Sequence, residues 1–550
     1  MSQNKSLARI NRLFFALLIV MVAGQMLAED CCNSNGSCCP SCSRSFLRHR
    51  PTSQDMSLQY ALDRYFLDYE KDDDIEIRKD ERQKAHQKRI SDKKGKQLHW
   101  RDAAAVRRSN VAVEPRFFTV QSTLFYNHSQ KSESLARYFL KGGKGCLVVA
   151  QTPKGTVATP VPTDPVSDIN SWWLGVSSSD PSQIFSSNIT LAPQRRVIGF
   201  AWNLRFDLNE YLRHTWLEVF APLVHVRQTA NLIERNIKGR GTDTPGLNNA
   251  TQGFDNPDWC YGRILSCKTR TSTGIDDVKI TFGWDFVKRA CVVANWYGNL
   301  FVPTYPGSKS HYLFESTIGT GGHVGLGMGL DVDFNVYDNG EFILNAILDA
   351  RYAYFLPHHE RRSFDLCANG EWSRYMLVTK KGMPLSTSFP AINYFTRDVK
   401  VSPRSNAEFL MLLHLEHKRF NIELGYNFWW RQAESLELTC NLENEVGIFD
   451  ISQRVLFAPA PLSTASKATI IQAASAPLDP TPTYVTNSDF NLESARMPKS
   501  VTSKVFVALG YDIEWRCRPI LLGCGFSYEF AHTRASYQQW GVFFKNSLSF

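Results

Sequence analysis

Long, strict alternation of apolar and polar residues constrains this chain more than any other feature. In Lys504–Phe530 the apolar series Val505, Val507, Leu509, Tyr511, Ile513, Trp515 breaks for three residues between its two arms. It resumes as Ile520, Leu522, Cys524, Phe526, Tyr528, Phe530, with Gly510, Asp512, Glu514, Arg516, Gly523, Gly525, Ser527 and Glu529 between. A period of two belongs to extended backbone, whose successive side chains point to opposite sides. One side here is large and apolar and the other small or charged, so the two sides must meet different surroundings.

The pattern recurs from Arg116 onward, in Ile198–Leu208, Val278–Phe286, Val324–Val336 and Phe420–Trp430. Tyr337–Gly340 joins two such runs through Asn-Gly, a strong hairpin signal. Twelve strands are expected, near 116–127, 197–208, 215–227, 277–287, 290–302, 322–336, 341–356, 406–416, 420–431, 504–516, 520–530 and 537–550. A hairpin within 144–176 (CLVVAQ, then WWLGV) would raise the number to fourteen. The connections alternate between short turns and long segments near 128–196, 228–276, 303–321, 357–405 and 432–503. Their Pro, Ser, Thr and Asn content reads as solvated loop.

A soluble β-sandwich alternates too, but its strands usually run about 5–6 residues. These run about 11–15, and a strand crossing a bilayer needs roughly 9–11. The expected fold is therefore all-β: a closed antiparallel transmembrane β-barrel over 114–550, apolar side chains facing lipid and polar ones facing the lumen. An apolar content of 43% excludes a bundle of membrane helices.

The N-terminus adds an address. Lys5, Arg9 and Arg12 precede the apolar Leu13–Gly24, and Ala28 offers a small residue for cleavage. Residues 1–28 read as a secretory signal peptide. Residues 29–113 then read as an exported, partly helical N-terminal arm, with Leu58, Ala61, Leu62, Tyr65, Phe66 and Tyr69 at helical spacing. Between Arg78 and Arg108 twelve basic residues face four acidic ones, which is nearly the whole net charge of +9. The basic charge thus belongs to the arm, and without aromatic interleaving it does not indicate nucleic acid. It could instead contact an acidic mouth of the barrel as a plug.

Thirteen cysteines in an exported chain favour disulfides. Cys31, Cys32, Cys38, Cys39 and Cys42 cluster in the arm, and only Cys39 and Cys42 have the pair spacing of a zinc site. They are read as links to other positions or other chains, which would allow a cross-linked envelope. Cys260 and Cys267 could close one long loop locally. No metal or other cofactor is called for.

The chain ends WGVFFKNSLSF, with Val542, Phe544, Leu548 and terminal Phe550 in alternation, broken by Asn546. Together with the leader and the strand series, this ending resembles the Gram-negative outer-membrane β-barrel class, which includes porins, selective channels, barrel hydrolases and adhesins. The resemblance implies an outer-membrane location, with Phe550 as a signal read by the barrel-assembly machinery. It also implies short turns and both chain ends on the periplasmic side.

With strand direction assigned, lumen-side charges sort by depth. Asp207, Asp285, Asp331, Asp333, Glu416, Glu423, Asp512 and Glu514 fall near the short turns, as an acidic inner mouth. Arg227, Lys279, Arg351 and Arg431 fall near the long loops, as a basic outer rim. Such a field would select solutes by charge, although barrel ends tolerate charge in any case. Gly325, Gly327 and Gly329 lie on a strand, so they do not form a phosphate cradle; they suit close packing or a bend. His323 and His414 are the candidate bases on the lumen side, but no G-x-S-x-G elbow accompanies them and no catalytic residue is assigned. The expected work is passive diffusion of small solutes through a polar lumen. The alternative is a structural or adhesive envelope protein, homo-oligomeric or disulfide-linked, acting through its long loops.

Overall fold

The computed structural model describes residues 44–60, 118–151, 167–449, 468–471 and 484–549, with short gaps inside these spans. Twelve long strands form one sheet. They are β1 (Phe118–Ser129), β2 (Gln194–Asp207), β3 (Thr215–Thr229), β4 (Val278–Arg289), β5 (Val292–Val302), β6 (Gly325–Asp338), β7 (Phe342–Phe355), β8 (Arg404–His417), β9 (Phe420–Arg431), β10 (Ser500–Trp515), β11 (Arg518–Ala531) and β12 (Gln539–Ser549). Each pairs antiparallel with its neighbour in sequence. β12 returns to β1 in the register Thr119↔Ser549 to Ser129↔Gln539, so the twelve strands close into a ring. The strand count is twelve, not fourteen: Leu147–Ala150 forms a short strand that pairs with Ile169–Asn170 and Ser186–Leu191 outside the wall.

Alternation divides the wall into two surfaces. Outward residues are large, apolar and exposed, as with Trp284 (48% exposed) and Leu424 (59%). Their inward neighbours Gly283, Asp285, Glu423 and Gly425 are buried. An apolar belt around a closed, fully hydrogen-bonded sheet is what a bilayer requires, so the molecule is a transmembrane β-barrel.

The inward glycines have a specific role. A Cβ on Gly283 would stand 2.1 Å from the Trp216 indole, and one on Gly329 2.2 Å from the Tyr297 ring. Gly199, Gly425 and Gly525 are likewise covered by Phe125, Phe506 and Phe543. Large rings thus lie flat against the next strand's bare backbone. Gly325 and Gly329 belong to this set, packed by the wall's own rings Phe355 and Tyr297.

One irregularity shapes the lumen. β3 pairs with β4 only over Thr215–Phe220; above that it pairs with Arg270–Ile275. The register slips by one residue between these two stretches, so Asp276 and Asp277 form a bulge. Bulges re-aim side chains, and both carboxylates here are buried.

The long connections are not solvated loops. They fold over one end of the barrel into a cap with its own small sheets, including His358–Ser363 with Thr396–Ser402 and Ser435–Leu438. Its core gathers Phe139, Trp172, Trp173, Phe254, Trp259, Phe314, Trp372, Tyr375, Phe395 and Phe490 from five of these connections. Trp259 stacks on Tyr375 at 5.2 Å. Each such side chain, fully buried, contributes roughly 1.5–3 kcal/mol. Their polar composition concealed a core carried by a few aromatics.

Candidate functional site

The lumen is occupied by the chain itself. Residues 44–60, expected in a periplasmic arm, lie inside the barrel and beneath the cap, and Ser45 to Gln59 are almost all buried. The segment begins against the cap, where Ser45 Oγ donates to Ser363 O at 2.6 Å and Tyr138 OH donates to Phe46 O at 2.9 Å. It ends in one short helix, α1 (Met56–Tyr60), within the barrel. The helix expected from the spacing begins here; its continuation beyond Tyr60 and the basic stretch 78–108 lie outside the described residues.

Wall residues grip this plug along its length. Glu408 of β8 accepts from Met56 N at 2.9 Å and pairs with Arg50 and Arg351. Arg351 donates to Gln54 O at 2.7 Å, and Asn406 Nδ2 donates to Gln54 Oε1 at 2.9 Å. Lys504 pairs with Asp55, and Lys545 donates to Gln59 O at 2.8 Å. At the bulge, Asp276 accepts from Thr52 N at 2.8 Å. Met56 and Leu58 enter an apolar belt formed with lumen-facing Phe125, Phe220, Leu410, Leu412 and Phe543. At this depth the lumen is apolar rather than water-lined.

Under the cap, Arg48 completes a buried charge cluster. It pairs with Glu360 and, at 3.5 Å, with Glu434. Arg362 lies 2.6 Å from Glu360 and 3.4 Å from Glu434, and its guanidinium covers the Phe46 ring at 3.3 Å. His323 Nε2 contacts Glu360 at 2.8 Å. Burial alone would raise the Glu360 carboxyl; Arg362, Arg48 and His323 outweigh it and hold the group well below the usual carboxylate range.

The expected outer rim is reassigned by these contacts. Lys279, Arg351 and Arg431 face inward, but they anchor the plug and do not border an open mouth. Lys279 donates to Gln59 Oε1 at 2.6 Å and Arg431 to Arg48 O at 3.4 Å. Arg227 is exposed on the outer face, because the inward positions of β3 are Val224, Val226 and Gln228. At the other end, Asp285 accepts from Trp216 Nε1 at 3.1 Å and Asp331 from Asn295 Nδ2 at 3.0 Å. Glu423 bonds His414 at 2.8 Å, and Asp512 accepts from Asn421 at 3.1 Å. Asp207, Asp333 and Glu416 are half-buried at inward positions near the short turns. Glu514 stands on β10, with its side chain outside the described ones. Of the candidate bases, His323 bonds Leu356 O and Glu360, and His414 bonds Glu423.

Cys260 is an exposed free thiol. Cys267, Cys31, Cys32, Cys38, Cys39, Cys42 and Phe550 lie outside the described residues. The residues that carry the plug contacts, Glu408, Lys504, Glu529 and Lys545, occupy polar inward positions of strands legible in the sequence. Reading every inward charge, instead of those near the strand ends alone, would have found them.

No protein-family model and no curated protein matches the sequence. Among solved structures, an outer membrane channel from Pseudomonas putida F1 aligns over 80% of this chain and 98% of its own, with 8% identity and a TM-score of 0.31. The transport unit of the autotransporter AIDA-I from Escherichia coli aligns over 80% and 93%, with 9% identity and a TM-score of 0.30. A Pseudomonas aeruginosa FadL homologue aligns over 79% and 90%, with 8% identity and a TM-score of 0.24. Likeness at this level carries no argument about chemistry, and the barrel assignment rests on the closed register of this chain.

Proposed function

We propose that this protein is a channel of the Gram-negative outer membrane, passing small solutes by diffusion when segment 44–60 moves from the lumen. The observation that carries the reading is the manner in which the segment is held. Phe46 and Leu47 pack into the cap core and Met56 and Leu58 into the lumen belt; between these two ends its contacts are ion pairs and hydrogen bonds to a polar wall, which water and a solute can replace. A purely structural barrel has no need of a wall lined with charge around a separable strand of its own chain. The inner acidic groups then bias passage toward cations.

The test is planar-bilayer conductance of refolded protein with and without residues 44–60. Deletion should open steady conductance with cation preference. Equal, negligible conductance of both forms would remove the channel reading. It would leave the second reading, an envelope protein acting through its cap, which the folded aromatic core and the exposed thiols Cys146, Cys260, Cys367 and Cys440 support.

A further inference from the structure

Plug and wall do not meet everywhere. A cavity of about 40 Å³ remains between His49, Arg50 and Pro51 of the plug and Arg195, Trp429 and Tyr537 of the wall and cap. It has room for about two or three waters or one small ion. Arg195, at the cap end of β2, is only 5% exposed. Among the described residues it forms no ion pair within 4.0 Å, and its Nη1 has no hydrogen-bond partner. Its one side-chain hydrogen-bond partner among these is the neutral Tyr537, whose ring lies 6.0 Å from the guanidinium. Asp276, a buried carboxylate held by the neutral Thr52 N–H, acts on it only from beyond 4.0 Å and does not line the cavity.

The other charges at the cavity are spoken for. Arg48 pairs with Glu360 and Glu434, which do not line it. Of the two carboxylates that do, Asp55 is paired with Lys504 and Arg50, and Glu529 with Arg50 and Lys504. His49 lies within reach of the fields of Arg195, Arg48 and Arg431. Among the residues that line the cavity, the charge without an ion pair is therefore that of Arg195. A buried lysine or carboxylic acid can neutralise itself by a proton, but a guanidinium cannot. What remains is a counter-ion.

We propose that this cavity binds one small monovalent anion of halide size on Arg195, and that the ion ties the plug to the wall. The proposal is separable from the channel reading, since an anion could fasten the segment in a barrel that conducts nothing. The test uses the full chain refolded in detergent, with sodium gluconate replaced stepwise by sodium chloride at constant ionic strength. Gluconate is too large for the cavity. Thermal unfolding should shift upward and saturate with chloride. In Arg195→Gln the half-saturating concentration should rise about tenfold or more, as expected when a charge-assisted hydrogen bond is lost. Crystals grown in bromide should show an anomalous peak beside Arg195. Identical unfolding in the two salts, a chloride response unchanged in Arg195→Gln, or water in place of bromide at Arg195 would overturn the proposal. If Arg195→Gln fails to assemble, the bromide peak in the unaltered protein decides.

Discussion

At the scale of single residues, the inward glycines and the buried acid under the cap are the sharpest commitments. Gly283→Val would drive Trp216 off the neighbouring strand and break its bond to Asp285. Overpacking of this kind costs about 1–3 kcal/mol. Urea unfolding followed by tryptophan fluorescence should show that loss, and an unchanged midpoint would deny the packing role. Glu360 gives a pH test. Its carboxyl is held below its ordinary value. The stability it contributes is therefore complete above the unfolded value of about 4.3 and drains away as pH falls through the folded one. Protection of the amides of 44–50 against hydrogen exchange, taken relative to the intrinsic rate at each pH, should fall below about pH 4, while Glu360→Gln should begin less protected and respond less. A flat profile for the unaltered protein would refute the assignment. The parity that placed Asp285 and Glu423 inward was legible in the sequence. Arg227 was misassigned because β3 carries Val224 and Val226 inward and His225 and Arg227 outward, so polarity there does not report the face.

At the scale of elements, all twelve strands were legible, because lipid on one side and a filled lumen on the other enforce a period of two. The plug was not. His49-Arg-Pro-Thr-Ser-Gln-Asp55 fell within the arm without a signal of its own, since its partners are charged groups on strands hundreds of residues away, and no local period records them. The cap hid for a related reason: its aromatics come from separate connections and meet only in three dimensions. Plug mobility can be checked by a lock. Gln54 and Asn406 touch through their side chains at 2.9 Å. The pair Gln54→Cys and Asn406→Cys, bridged by a short bifunctional methanethiosulfonate reagent, should silence conductance and regain it with reductant. Conductance unaltered by a formed cross-link would mean that solutes pass without displacing the segment.

At the scale of the whole molecule, the cap is an ordered lid over one mouth and the exposed thiols report its side. Cys146, Cys260, Cys367 and Cys440 lie on the cap, while Cys524 is on the lipid face of β11 and Cys291 at a short turn. On intact cells a membrane-impermeant maleimide should label the four cap thiols and leave Cys524 and Cys291 untouched, with mass spectrometry of peptides as the readout. Labelling of Cys291 alone would invert the orientation. The path of the chain has one more implication, for biogenesis. The polypeptide runs from residue 44 beneath the lid to Tyr60 in the interior, and the wall starts with Phe118 at the opposite rim. The seam between the first and last staves has therefore either shut around a thread already laid through the hoop or been followed by lengthwise entry of that thread. Once it has shut, that thread can leave only lengthwise.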